Sequence, residues 1–178
     1  MELFTSPMAC SLAAHITAYE AGLPVQITYV DTRAKTTKDG RDYRTIAPNG
    51  YVPALKLSDG SLLNENPSVL QYLADLKPEA GLAPVWSDLR RYELIDALNF
   101  LGTEVHKKIF SPLFAPAMPQ QGKEFAKTAV APAFDALVRR LGDRDFLVGD
   151  RFTVADVGDP GRVVDAEALA ARAAAGPS

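Results

Sequence analysis

The chain has 178 residues, 47% hydrophobic and 23% charged, with a formal net charge of −3. That length suits one large domain or two small ones, able to bury roughly 70% of the unfolded surface. Mixed charge without a Lys/Arg run gives no basic field for nucleic acid. No window approaches the roughly 18 apolar residues of a membrane span. A single cysteine, Cys10, excludes an internal disulfide framework and fits a reducing compartment. No basic leader precedes Met1-Glu2-Leu3-Phe4, so no signal peptide is read and a cytoplasmic protein is expected.

Glu2 to Phe4 makes a short strand, interrupted by Thr5-Ser6-Pro7. From Ser11, Leu12, Ile16 and Tyr19 lie on one helical face, and Gly22 sits where a glycine stops a helix. Val25, Ile27 and Tyr29 alternate as a second strand, which predicts a βαβ unit with parallel pairing and a right-handed crossover. Asp31 to Gly40 is polar and reads as a loop, and Pro48-Asn49-Gly50 is a turn. Val52, Leu55 and Leu57, then Leu62-Leu63, read as two strands joined at Ser58-Asp59-Gly60-Ser61. Asn66 is the expected N-cap of a following helix and Pro67 its first residue, with Val69, Leu70, Leu73 and Leu76 at helical spacing. Such a helix start leaves free N–H groups able to hold a carboxylate or phosphate. An ordinary, well-capped β-β-α unit is the alternative.

Cys10 falls where the first strand's loop meets the first helix. Unpaired N–H groups and the helix dipole there favour thiolate and lower a thiol pKa from about 8.5. The alternative is a cysteine that only packs. No second cysteine lies three residues away, so Cys-x-x-Cys chemistry is out and any redox partner is an external thiol.

Here the residues carry a resemblance. The element order, Cys10-Ser11-Leu12-Ala13 with His15, and Pro48-x-Gly50-x-Val52-Pro53-Ala54-Leu55 followed by Glu65 resemble the N-terminal domain of glutathione transferases, most closely the bacterial beta class. The resemblance implies a cis Val52-Pro53 peptide, with Val52 pairing to the cysteinyl part of glutathione like an added strand. It also implies that Glu65 and the N–H of residue 66 take the γ-glutamyl end, and that Lys35 meets the glycine carboxylate. Residue 66 is Asn where the family usually has Ser, so a backbone contact survives and a hydroxyl contact does not. Without the resemblance, Lys35 reads as a solvated loop charge.

Lys77-Pro78 to Pro84 is a linker, and the chain beyond it reads as purely helical. The expected divisions are 1–78, a thioredoxin-like glutathione-binding domain with a mixed four-stranded sheet; 79–86, the linker; and 87–178, an all-helical domain. From Ser87 as cap, a helix is predicted to about Ile109, with Leu94, Leu98, Leu101, Val105 and Ile109 as its core stripe. Tyr92, Asn99, Thr103 and His106 form a polar stripe beside it, which on its own is the wet side of a helix. Through the motif Asn-x3-Thr-Glu-x-His-Lys, the resemblance implies that Asn99, Thr103, Glu104 and His106 line the glutathione site against Cys10. With an ordinary pKa near 6.5, His106 can exchange a proton with a thiol near neutral pH. Ser111 to Gln121 reads as a loop, and Lys123 to Leu141 as a helix that Pro132 kinks or restarts. Thr153 and Asp156 are spaced as a capping box with Phe152 as staple. After Asp156 the chain departs from the family pattern. Val157-Gly158-Asp159-Pro160-Gly161 and an alanine-rich end replace an apolar helix, as in a truncated or frameshifted tail or a naturally divergent one.

The resemblance thus implies an enzyme that conjugates or exchanges the glutathione thiol with hydrophobic electrophiles or disulfides, in detoxification or thiol redox. Cys10 and His106 would be its catalytic residues. Glutathione would be a co-substrate, with no tightly bound cofactor and no metal, in a homodimer without nucleic-acid or membrane partners. The alternatives are a non-catalytic glutathione-binding or protein-interaction protein on the same fold, or a product impaired by its abnormal end.

Overall fold

The computed structural model describes residues 1–7 and 9–157. These divide into two compact units, Met1–Ser87 and one beginning at Asp88. In the first, β1 (Glu2–Thr5), β2 (Gln26–Asp31), β3 (Thr36–Thr37), β4 (Ala54–Lys56) and β5 (Leu62–Asn64) form one sheet ordered β3-β2-β1-β4-β5. Helix α1 (Leu12–Glu20) is the crossover between β1 and β2, which pair parallel with Leu3 opposite Ile27. β4 runs antiparallel to β1, with Leu55 opposite Leu3, and β5 antiparallel to β4. Leu3, Phe4, Ala54 and Leu55 on the central strands are fully buried. Helix α2 (Asn66–Asp75) packs on α1, its Val69, Leu70 and Leu73 removed from water at roughly 1.5–3 kcal/mol each. The predicted mixed thioredoxin-like sheet is present, with one addition.

The addition is β3, inside the stretch expected to be a loop. The Asp31 carboxylate accepts the N–H groups of Arg33 and Ala34 at 2.8 and 2.9 Å, and this turn returns the chain so that Thr36–Thr37 pairs with Val30 and Asp31. Two polar residues carry no apolar alternation, so the pattern does not announce the strand. Between β3 and β4 there is no α-helix, only one helical turn at Tyr43–Thr45 with Asp42 accepting the Arg44 N–H. The α2 cap also differs: Asn66 is the first helical residue, and the cap position belongs to Glu65 at φ 64° and ψ 124°. The Glu65 carbonyl takes the Ser68 and Val69 N–H groups.

In the second unit, α3 (Arg90–Phe100) passes into a π-helical segment, Leu101–Phe110, and then α4 (Ser111–Phe114). The start comes later than Ser87 because the Asp88 carboxylate, 2.9 Å from the Arg90 N–H, takes the first-turn donor instead. The stripe Leu94, Leu98, Leu101, Val105 and Ile109 is buried throughout. The helix outruns its predicted end because Pro112 falls in the first turn of α4, where a missing N–H breaks nothing. Just before it, the Ser111 N–H bonds the His106 carbonyl in the wider π register. Of the kink or restart expected at Pro132 within Lys123–Leu141, the structure has a restart: α5 (Gln120–Thr128) ends and α6 (Val130–Leu141) begins, with Pro132 in its opening turn. Thr153 and Asp156 form the expected cap of α7 (Val154–Val157): the buried Asp156 carboxylate accepts the Thr153 N–H at 2.9 Å, its hydroxyl at 3.1 Å and the Leu147 N–H at 2.9 Å. The altered tail lies, from residue 158 on, outside the described residues.

Candidate functional site

In the first unit Cys10 follows β1, Lys35 precedes β3, Val52 and Pro53 precede β4, and Glu65 and Asn66 follow β5. Cys10 is half-buried and lies one residue before the cap of α1. Ser11, at the cap position, gives its hydroxyl not to the helix but to the strand exit, where it accepts from Thr5 Oγ1 and the Ser6 N–H, both at 3.0 Å. This fastening sets the turn that carries the thiol. Cys10 Sγ donates to the Val52 carbonyl at 3.5 Å, across 42 residues of sequence. The Val52-Pro53 peptide is cis, and Pro53 is buried.

Lys35 is not the freely solvated charge that its loop suggests. Its backbone has φ 58°, and its Nζ donates to the Gly50 carbonyl at 2.8 Å while lying 5.8 Å from the centre of the Tyr51 ring. Gly50, at φ 65°, gives the lysine room: a Cβ there would stand 3.1 Å from Lys35 Cδ. Glu65 and Asn66 sit together at the start of α2. The exposed Glu65 holds a backbone conformation that a non-glycine residue rarely adopts, of the kind that clusters at binding sites. Asn66 presents a first-turn N–H that lies outside the helix ladder, and its buried Oδ1 has no hydrogen-bond partner.

Tyr43 is the residue that sequence reasoning missed. It is wholly buried, yet its hydroxyl donates to the Tyr51 carbonyl at 2.7 Å, and burial pushes the phenol above its usual range. An aromatic residue between two turns resembles any other core residue. Its one signal is a polar handle that, once buried, must find a partner.

In the second unit Asn99 ends α3 and the others lie on the π segment. Thr103 Oγ1 donates to the Asn99 carbonyl at 3.0 Å, and Glu104 accepts Lys108 Nζ at 2.8 Å. Asn99 and Thr103 are exposed, while Glu104 and His106 are half-buried. The stripe keeps α-helical spacing through Asn99, but Thr103, Glu104 and His106 sit where the register is π.

The N-terminal domain model of glutathione S-transferases matches residues 7–76, and the C-terminal domain model matches residues 119–158. The chain is 40% identical, over 156 residues, to the glutathione S-transferase GstA of Escherichia coli O157:H7, covering 88% of this chain and 77% of that one. Among solved structures, a sphingomonad glutathione S-transferase complexed with glutathione superposes with a TM-score of 0.85 at 40% identity, covering 96% of this chain and 90% of that one. A bacterial beta class enzyme from Sphingomonas chungbukensis gives 0.84 at 46% identity, covering 89% and 78%. No helix among the described residues is long and apolar enough to cross a membrane. The chain belongs to the glutathione S-transferase family, and its structural neighbours include the bacterial beta class.

Proposed function

We propose that the protein binds glutathione along the first unit and joins its sulfur to hydrophobic electrophiles. The observation that carries this reading is the 3.5 Å approach of Cys10 Sγ to the Val52 carbonyl. It brings the one thiol of the chain to the backbone group that would pair with the cysteinyl part of the tripeptide. Glutathione in an extended pose would take over the Val52 carbonyl and lay its own sulfur beside Cys10. The γ-glutamyl end would meet Glu65 and the Asn66 N–H, and the glycine carboxylate would meet Lys35. One donor of the Lys35 ammonium is committed to Gly50, which leaves two for a carboxylate. Asn99, Thr103, Glu104 and His106 are proposed as the contribution of the second unit, with His106 exchanging the thiol proton. In conjugation the glutathione thiolate attacks an electrophilic carbon; a C–S bond forms and the leaving group departs with its electron pair.

The half-buried thiol of Cys10, outside any disulfide, favours a second reading. Its thiolate attacks the disulfide of oxidised glutathione, forming a mixed disulfide and releasing one glutathione thiolate; a second thiol then restores Cys10. Either activity suits a cytoplasmic homodimer with glutathione as co-substrate and no resident cofactor, and we propose that assembly and compartment. Conjugation with chlorodinitrobenzene and disulfide exchange, measured on wild type and Cys10→Ala, separate the two. We expect exchange to vanish, and conjugation to fall about tenfold or more as one charge-assisted hydrogen bond to the thiolate is lost. Both rates unchanged in Cys10→Ala would remove Cys10 from the chemistry.

A further inference from the structure

Two consecutive carbonyls lie just before Val52, and each is held by a side chain from the preceding segment. Lys35 Nζ takes the Gly50 carbonyl at 2.8 Å, and the Tyr43 hydroxyl takes the Tyr51 carbonyl at 2.7 Å. The two holders are themselves tied, since the Tyr43 N–H donates to the Lys35 carbonyl at 2.8 Å. The result is a closed loop of three bonds around residues 35, 43, 50 and 51. Tyr43 cannot swing away, because its ring is fully buried against Phe4 at 5.5 Å between centroids, in a cluster with Val30, Ala47 and Ala54. Burial also keeps its hydroxyl protonated, and therefore a donor, across the working pH range. Tyr51 itself is exposed at 67%, with Lys35 Nζ 5.8 Å from the centre of its ring.

We propose that Tyr43 is a positioning residue for glutathione: anchored in the sheet core, its hydroxyl fixes the Tyr51 carbonyl and thereby the orientation in which Val52 offers its backbone. The inference rests on Val52 being the contact for the cysteinyl part. Tyr43 touches no substrate. It lowers the cost of binding by holding the Val52 backbone ready, as preorganisation does elsewhere.

The test is Tyr43→Phe, which keeps the ring and removes only the oxygen. Steady-state kinetics with glutathione as the varied substrate, and calorimetric titration of glutathione, are run on both proteins. Loss of one neutral hydrogen bond should raise the glutathione KM and Kd about three- to tenfold, with kcat within about twofold. S-methylglutathione, which has no thiol proton, should lose affinity by the same factor, because Tyr43 acts on the backbone and not on the sulfur. A Tyr43→Phe protein with unchanged glutathione Kd while wild type binds normally would overturn the positioning role and leave the binding reading standing. A lowered kcat at unchanged KM would also overturn it, since that is the mark of a smaller folded fraction. Wild type without saturable glutathione binding would overturn the binding reading and the positioning role together.

Discussion

The two units hold their candidate residues in different ways. In the sheet unit the bonds reach across the chain: Cys10 to Val52 over 42 residues, Lys35 to Gly50 over 15, Tyr43 to Tyr51 over 8. In the helical unit they are one turn long, Thr103 to Asn99 and Lys108 to Glu104, each over four residues. A site built from long-range bonds exists only when the unit is folded, and its groups are then fixed. A site built on one helix is fixed by that helix's own register, so its stability depends on what packs and caps the helices. The first arrangement is sensitive to single backbone contacts, the second to loss of the core.

The largest effect on this contrast should come from Asp156→Ala. It leaves two buried N–H groups and a hydroxyl without the carboxylate that binds them, at about 3–5 kcal/mol. Hydrogen exchange resolved by residue should show protection lost around Leu147 to Val157 and kept in β1 and β4. Equal loss in both units would mean that they do not differ as described.

Gly50→Ala probes the sheet unit at smaller cost. The positive φ at Gly50 alone costs an alanine about 1–2 kcal/mol, and the new Cβ presses on Lys35 Cδ. Stability measured by thermal melting should fall by that amount and the glutathione KM should rise. The flexible end of the lysine can shift, so folding survives. A KM unchanged in this variant would show that the Lys35–Gly50 contact has no part in binding.

The smallest effect concerns acid stability of the sheet unit. Asp39 is held down from the ordinary 3.8 to about 2, first by its hydrogen bond with Arg41 and next by Thr37. Burial pushes Glu2 upward, but bonds from Arg41 and Thr28 outweigh it and its pKa is lowered. Carboxyls with depressed folded values stabilise the fold above their ordinary pKa, and that contribution is lost as pH falls from about 4.5 toward about 2. Arg41→Met should therefore melt slightly lower at pH 7 and show a shallower fall in Tm across that window. The Arg41 and Asp39 side chains are 40% and 55% exposed, so the difference should be small and should shrink further in salt. An acid limb of unchanged slope would show that Arg41 does not set it.

Much of this was legible in the residues. The stripe from Leu94 to Ile109 is a matter of periodicity, which burial follows even where the register turns from α to π. The βαβ start, the Ser58–Ser61 turn and the Thr153–Asp156 cap are equally local. What escaped depends on contacts between distant residues or on competition between neighbours. β3 exists because Asp31 turns the chain back onto β2, not because Thr36 and Thr37 favour a strand. Glu65, not Asn66, takes the cap of α2, and at α3 the cap position falls to Leu89 while the Asp88 carboxylate takes the Arg90 N–H. For the candidate site, Cys10 and the Val52–Pro53 pair could be named from the sequence, as could Lys35, but the lysine's commitment to Gly50 and the Tyr43 hydroxyl under Tyr51 could not. Both arise only when two turns are folded against each other.

The most direct test is an amide-resolved NMR titration of the whole protein with reduced glutathione at neutral pH. Saturable shifts largest at the Val52 and Asn66 amides, with Cys10 and Lys35 following at the same Kd, are the expected result. Saturable binding that leaves Val52 and Asn66 unmoved would place glutathione elsewhere and contradict the proposed site.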